Sequence, residues 1–132
     1  GGERTPLLTS LSLCVLAARA HGKACLDGVH LDLKDAEGFA SACAQGRALG
    51  FDGKTLIHPS TLAAANAAFA PTLAETAHAR RVVDAFAAAA AKGSALVLLD
   101  GKLVEELHVR SAKRLLSMAS QIDALQAEHR GR

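Results

Sequence analysis

The chain has 132 residues, which at roughly 150 per domain bounds it to one domain or part of a larger one. Half of its residues are apolar and 21% are charged, a composition that builds a packed core and excludes a wholly disordered chain. The formal charge is +2 without a basic cluster, and there is no Trp or Tyr, so both the phosphate-tracking patch and the base-stacking platform of a nucleic-acid binder are missing.

The sequence opens on Gly1-Gly2 with no charged-then-apolar leader, and the expected setting is cytoplasmic. Thr5-Pro6 reads as a helix start, with Thr5 as the cap and Pro6 in the first turn, where its missing N–H costs nothing. Leu7, Leu11, Cys14 and Ala18 then recur at helical spacing, and Gly22 closes a helix over about residues 6–20. Its apolar run from Leu11 to Ala18 is broken by Ser12 and stopped by Arg19, far short of a membrane span. After Gly28 the alternation Val29, His30, Leu31, Asp32, Leu33 predicts a short strand, and Asp35 caps a helix through Phe39, Cys43 and Leu49 that Gly50 ends. The segment from Phe51 to Pro59 predicts a second strand, stopped by the proline. Two strands around one helix imply a parallel pair, and a two-stranded parallel sheet cannot bury both faces by itself.

Ser60 is expected to cap a short helix to about Asn66. Thr72-Leu-Ala-Glu75 is a capping box that opens a long Ala-rich helix to Lys92, closed by Gly93. Ala95-Leu-Val-Leu-Leu99 predicts an extended stretch turning at Asp100-Gly101. In the last helix Ser111, Leu115, Met118, Ile122 and Leu125 repeat at the seam spacing of a helix lying along a partner, and the polar tail from Glu128 to Arg132 is expected to fray. The order is α-β-α-β followed by three helices, an α/β pattern that reads as the end of something larger.

Cys14, Cys25 and Cys43 are odd in number and lack zinc spacing, so they read as reduced and structural. His21, His78, His108 and His129 fall on helices or their ends without an H-x-x-x-H pair and read as surface residues. Asp32 and Asp35 invite a metal, but Asp35 is better explained as a cap and Asp32 as a loop-facing charge, so no metal ligand is assigned. Gly50 and Gly53 have phosphate-loop flavour, yet Lys54-Thr55 lacks the first glycine at the required distance.

Four segments carry a resemblance: Gly28-Val-His-Leu-Asp32, Gly50-Phe-Asp-Gly-Lys-Thr-Leu-Ile-His-Pro-Ser60, Asn66-Ala-Ala-Phe-Ala-Pro71 and Asp100-Gly-Lys-Leu-Val-Glu105. In this order, over nearly the whole chain, they closely resemble the citrate lyase beta subunit family, with its malyl-CoA and citramalyl-CoA lyases, in the HpcH/HpaI aldolase superfamily. The resemblance covers only that family's C-terminal half. It implies the C-terminal part of a TIM (β/α)8 barrel, whose complete form needs roughly 250 residues. Residues 1–70 would supply the last two strands and their helices, and residues 71–132 a helical extension packing on a neighbouring subunit of a homotrimer. The implied activity is that of a carbon–carbon lyase, cleaving or forming a 3-hydroxyacyl-CoA thioester with Mg²⁺, whose ligands lie upstream of this chain. The chain by itself is therefore expected to be inactive. A thioesterase of the same family is the alternative enzyme, and a non-catalytic helical oligomerisation module is the alternative from a different class.

By the same resemblance Glu105 matches an acid acting on the neighbouring subunit's thioester, where most relatives carry Asp. At the start of a helix, Glu105 is equally explained by the helix dipole. Thr55, Leu56, Ile57 and His58 match a rim that contacts coenzyme A, largely through backbone groups around Thr55 and Leu56. The competing explanation is that His58-Pro59 only ends a strand and caps the next helix, with Lys54 a solvated charge.

Overall fold

A computed structural model describes residues 4–93 and 96–130, which fall into two units, Gly1–Phe69 and Ala70–Arg132. In the first unit Pro6 supports a single 3-10 turn, Thr5–Leu7, that runs straight into α1, Leu8–Ala20. Thr5 thus stands inside the turn, and the cap position falls on Arg4. Gly22, at φ +62°, turns the chain out of α1, and the Lys23 amide bonds back to the Ala18 carbonyl.

The first strand, β1, is Leu26–Asp27, upstream of the predicted Val29–Leu33. Its parallel partner, β2, is Gly53–Lys54, with Leu26 opposite Gly53 and Asp27 opposite Lys54. Residues 29–33 have no strand opposite them, so their alternation belongs to the loop that leaves the sheet, and Val29, Leu31 and Leu33 are exposed. For the same reason β2 covers only a small part of the predicted span of residues 51–59.

Between the strands lies α2, Ala36–Leu49, which starts where Asp35 Oδ1 accepts the Gly38 amide at 2.8 Å and ends at Gly50, φ +97°. On α2 a Cβ at Gly46 would stand 3.0 Å from Asp27 Oδ2, so any larger residue there would press on that carboxylate. After β2 the cap is His58 rather than Ser60. Pro59 has no amide to offer, the first free one is that of Ser60, and His58 Nδ1 accepts it at 3.2 Å. The 3-10 turn Pro59–Thr61 then leads into α3, Leu62–Phe69. Phe39, Cys43 and Ala65 form the core here, with Leu56, Ala68 and Phe69 packed against them. Burial pushes the Cys43 thiol pKa up, which suits an inert packing residue.

In the second unit α4, Leu73–Ala91, opens on a complete capping box: Thr72 Oγ1 accepts the Glu75 amide at 3.1 Å and Glu75 Oε2 accepts the Thr72 amide at 2.7 Å. Two antiparallel strands follow, β3, Leu98–Leu99, and β4, Lys102–Leu103. Asp100 and Gly101 both have positive φ, 52° and 75°, as a two-residue hairpin turn demands. The turn stands where the sequence places it, the returning strand β4 is an addition, and Ala95 lies outside the described residues. Arg81 ties the turn to α4 through Asp100 at 2.6 Å.

The last helix, α5, Glu106–Arg130, packs along α4 on a seam that starts from Val109 and Ala112 and continues through half-buried Leu115 and Leu116. Ala79, Val82, Val97 and Val104 complete that core. Ser111, Met118 and Leu125, all expected on the seam, are exposed, whereas Leu115 and Ile122 are half-buried. Small side chains on both helices set the line of closest approach here, which moves the seam onto the Ala112 side. The tail is helical through Arg130, and Gly131 and Arg132 lie outside the described residues. Among the described residues no helix is long and apolar enough to cross a membrane.

Candidate site at the C-terminal ends of the strand pair

Both parallel strands end at the same side of the first unit, and Asp27 sits there, 2% exposed. Its Oδ2 accepts from Arg4 Nη1 at 2.9 Å and Lys54 Nζ at 2.8 Å. Oδ1 accepts from Arg4 Nη2 at 2.8 Å and the Gly28 amide at 2.9 Å. Its main-chain carbonyl accepts both the amide and the hydroxyl of Thr55, each at 2.9 Å. The Lys54 side chain is 1% exposed, so Lys54 is no solvated charge. A second ion pair closes the opposite ends of the strands, where Arg19 grips Asp52 at 2.7 and 2.9 Å.

Burial works to raise the Asp27 carboxyl pKa, but the bonds from Arg4 and Lys54 and the charge of Lys54 outweigh it and hold it below the ordinary carboxylate value. The folded state therefore binds this proton less readily than the unfolded chain. The resulting stabilisation is full above the unfolded value, about 3.9, and is lost as pH falls through the lower folded value. Urea unfolding of the first unit, followed from about pH 6 to about pH 2, should show midpoints that fall across this window. In Asp27→Asn/Lys54→Met that fall should be shallower.

Thr55, Leu56, Ile57 and His58 leave the sheet directly after Lys54. Thr55 spends both donors on Asp27, whereas the amides of Leu56, Ile57 and His58 have no partner among the described residues. Leu56 is half-buried against the core and Ile57 and His58 are exposed. The His58 ring is engaged with Ser60, through Nδ1 to its amide and hydroxyl. Glu105 belongs to the second unit, between β4 and α5. Its amide donates to His108 Nδ1 at 3.0 Å, and its carbonyl accepts the His108 and Val109 amides. Its carboxylate is exposed and has no partner among the described residues.

Asp32 Oδ1 accepts the Lys34 amide at 3.0 Å and Asp35 caps α2, so both carboxylates have structural tasks. His30, in the loop after β1, has a buried Nε2 with no hydrogen bond, 3.7 Å from Asp35 Oδ2, and its ring meets Phe39 edge-on. Among the described residues no three His, Cys, Asp or Glu side chains gather into a set that could hold a metal ion.

Asp27 and Arg4 went unread in the sequence. The signal was present as Asp27-Gly28 and Gly53-Lys54: each short strand carries an opposite charge beside a glycine at its end, the cross-strand pairing that favours a register.

The β-α-β unit is an α/β element that brings Asp27 and the segment from Thr55 to His58 to the carboxyl ends of its two parallel strands. Residues 2–59 match the family described as HpcH/HpaI aldolase/citrate lyase. It is 47% identical over 125 residues to a (3S)-malyl-CoA thioesterase of Cereibacter sphaeroides (strain ATCC 17029 / ATH 2.4.9), which covers 95% of this chain and 44% of that protein. It is 40% identical over 117 residues to the citrate lyase subunit beta of Escherichia coli (strain K12), 89% of this chain and 39% of that one. Among solved structures, the protein CitE of Mycobacterium tuberculosis in complex with magnesium, acetoacetate and coenzyme A superposes with a TM-score of 0.71 at 32% identity, over 91% of this chain and 43% of its own. A citrate lyase of Burkholderia xenovorans shares the fold with a TM-score of 0.74 at 22% identity, over 92% of this chain and 37% of its own. The chain thus spans less than half the length of these relatives.

Proposed function

We propose that this chain is the C-terminal part of an enzyme acting on a malyl-CoA-type thioester. The observation that carries the reading is the run of unpartnered amides at Leu56, Ile57 and His58, three adjacent donors at the substrate end of the strand pair. Such a run suits the amide and carbonyl oxygens of a coenzyme A arm, which need donors and bring no fixed charge to that point. The relatives named for CoA thioesters and the neighbour bound to coenzyme A support it.

The barrel reading has its own support. On β1 the apolar Leu26 is 61% exposed while the neighbouring Asp27 is buried, the reverse of what a finished surface shows. Further strands of an eight-stranded β/α barrel would cover that face, and residues 71–132 would form the extension that reaches a neighbouring subunit of a cytoplasmic trimer. Magnesium ligands then lie in the part of the protein outside these residues, and the metal would polarise the acyl oxygens when bound. Leu56–His58 hold the thioester arm, and Glu105, with no side-chain partner to neutralise it, moves the proton on the neighbouring subunit's thioester.

Hydrolysis is the reaction we favour, because the relative at 47% identity is a (3S)-malyl-CoA thioesterase. Carbon–carbon cleavage, the expectation from sequence, keeps the support of the citrate lyase beta relative at 40%. The test is co-expression of this chain with the N-terminal half of the Cereibacter enzyme, followed by malyl-CoA and Mg²⁺. Release of free thiol together with malate supports hydrolysis, and release of acetyl-CoA supports the lyase. If neither product forms, while the intact Cereibacter enzyme turns over, the proposal fails.

A further inference from the structure

The six hydrogen bonds converging on Asp27 come from four residues in three stretches of chain: Arg4 ahead of α1, Gly28 in the outgoing loop, and Lys54 and Thr55 where β2 passes into the rim. Burying such a cluster carries a desolvation cost, and apolar residues of similar size often hold a core as well. What a charged cluster adds is a single allowed arrangement. We propose that Asp27 is the positioning residue of the rim, an inference resting on the reading of Leu56–His58 as the contact for coenzyme A. Its carboxylate locks Lys54 and thereby the end of β2. Its carbonyl takes both donors of Thr55, so the next three amides leave the sheet in one fixed direction and remain unspent. Asp27 and Lys54 therefore act through Leu56–His58 and do not touch the ligand.

The test compares Lys54→Met with Val15→Ala in the full chain. Lys54→Met leaves Asp27 held by Arg4 and Gly28, whereas Val15 packs near Gly50, toward the other ends of the strands. Coenzyme A affinity is read by calorimetry on the co-expressed protein, and exchange of the Thr55 amide by NMR. Lys54→Met should weaken coenzyme A about tenfold and speed Thr55 exchange about tenfold, and Val15→Ala should do neither at comparable loss of stability. If Lys54→Met changes both quantities no more than Val15→Ala, the proposal is overturned. Absence of coenzyme A binding in the parent, with Thr55 exchange still faster in Lys54→Met, would sink the rim reading and leave the positioning role standing. Should Lys54→Met not fold, Thr55→Val, which removes only the hydroxyl bond to the Asp27 carbonyl, should give the same two changes in smaller measure, and unchanged values would refute the role.

Discussion

Asp27→Asn is expected to destabilise the first unit strongly at neutral pH. The substitution leaves Lys54, 1% exposed, and Arg4 without their counter-charge, and removing one member of a buried pair costs about 3–5 kcal/mol. That is a large share of the roughly 5–15 kcal/mol that keeps a domain folded. The double variant Asp27→Asn/Lys54→Met should recover most of the loss, because the uncompensated buried ammonium goes with it and the partly exposed Arg4 can turn to water. Urea denaturation of the parent, the single variant and the double variant measures this coupling directly. Equal losses in the single and double variants would mean that the charges are not energetically joined.

In the protein completed by an N-terminal half, Glu105→Gln should lower kcat by about a hundredfold or more, the scale of a lost general acid–base group. KM should change little, because the proposed hold on the substrate lies with Leu56–His58. Thermal stability should not change either, since the Glu105 carboxylate is exposed and bonds to nothing among the described residues. Most relatives are expected to carry Asp at this position, so Glu105→Asp should keep much of the activity. A kcat for Glu105→Gln within about threefold of the parent would return Glu105 to a dipole-compensating residue at the head of α5.

The helices were legible because their ends are chemical. Asp35 caps α2, Thr72 and Glu75 cap each other, and Gly50 and Gly93 take the left-handed conformations that close α2 and α4. The parallel pairing and the places of β2 and β3 were legible too, but the position of the first strand and the extent of the others were not, because a strand exists only where another stands beside it. The Val29–Leu33 alternation has the period of a strand without a partner, while Leu26–Asp27 has a partner in Gly53–Lys54 and is too short to show a period. The seam of α5 was displaced for a related reason: heptad spacing marks an apolar stripe, but small side chains such as Ala79 and Ala112 decide where two helices meet.

The family was legible in four motifs, and its match over residues 2–59 includes two of them almost entirely. The site was legible only in part. Thr55 to His58 stand at the strand ends as a group, but their dependence on Asp27 was hidden, since a carboxylate beside a glycine reads as a turn until the strand opposite is known. Lys54 reads as a surface charge for the same reason and is instead the buried partner of that carboxylate.

Binding of coenzyme A to this chain, co-expressed with the N-terminal half of the Cereibacter thioesterase and followed by calorimetry, tests the central claim most directly. One binding site per chain is predicted, weakened when Ile57→Pro removes a rim amide and unaffected by Leu125→Ala on the exposed face of α5. A properly assembled protein that takes up no coenzyme A, or binds it equally well with Ile57→Pro, would contradict the account.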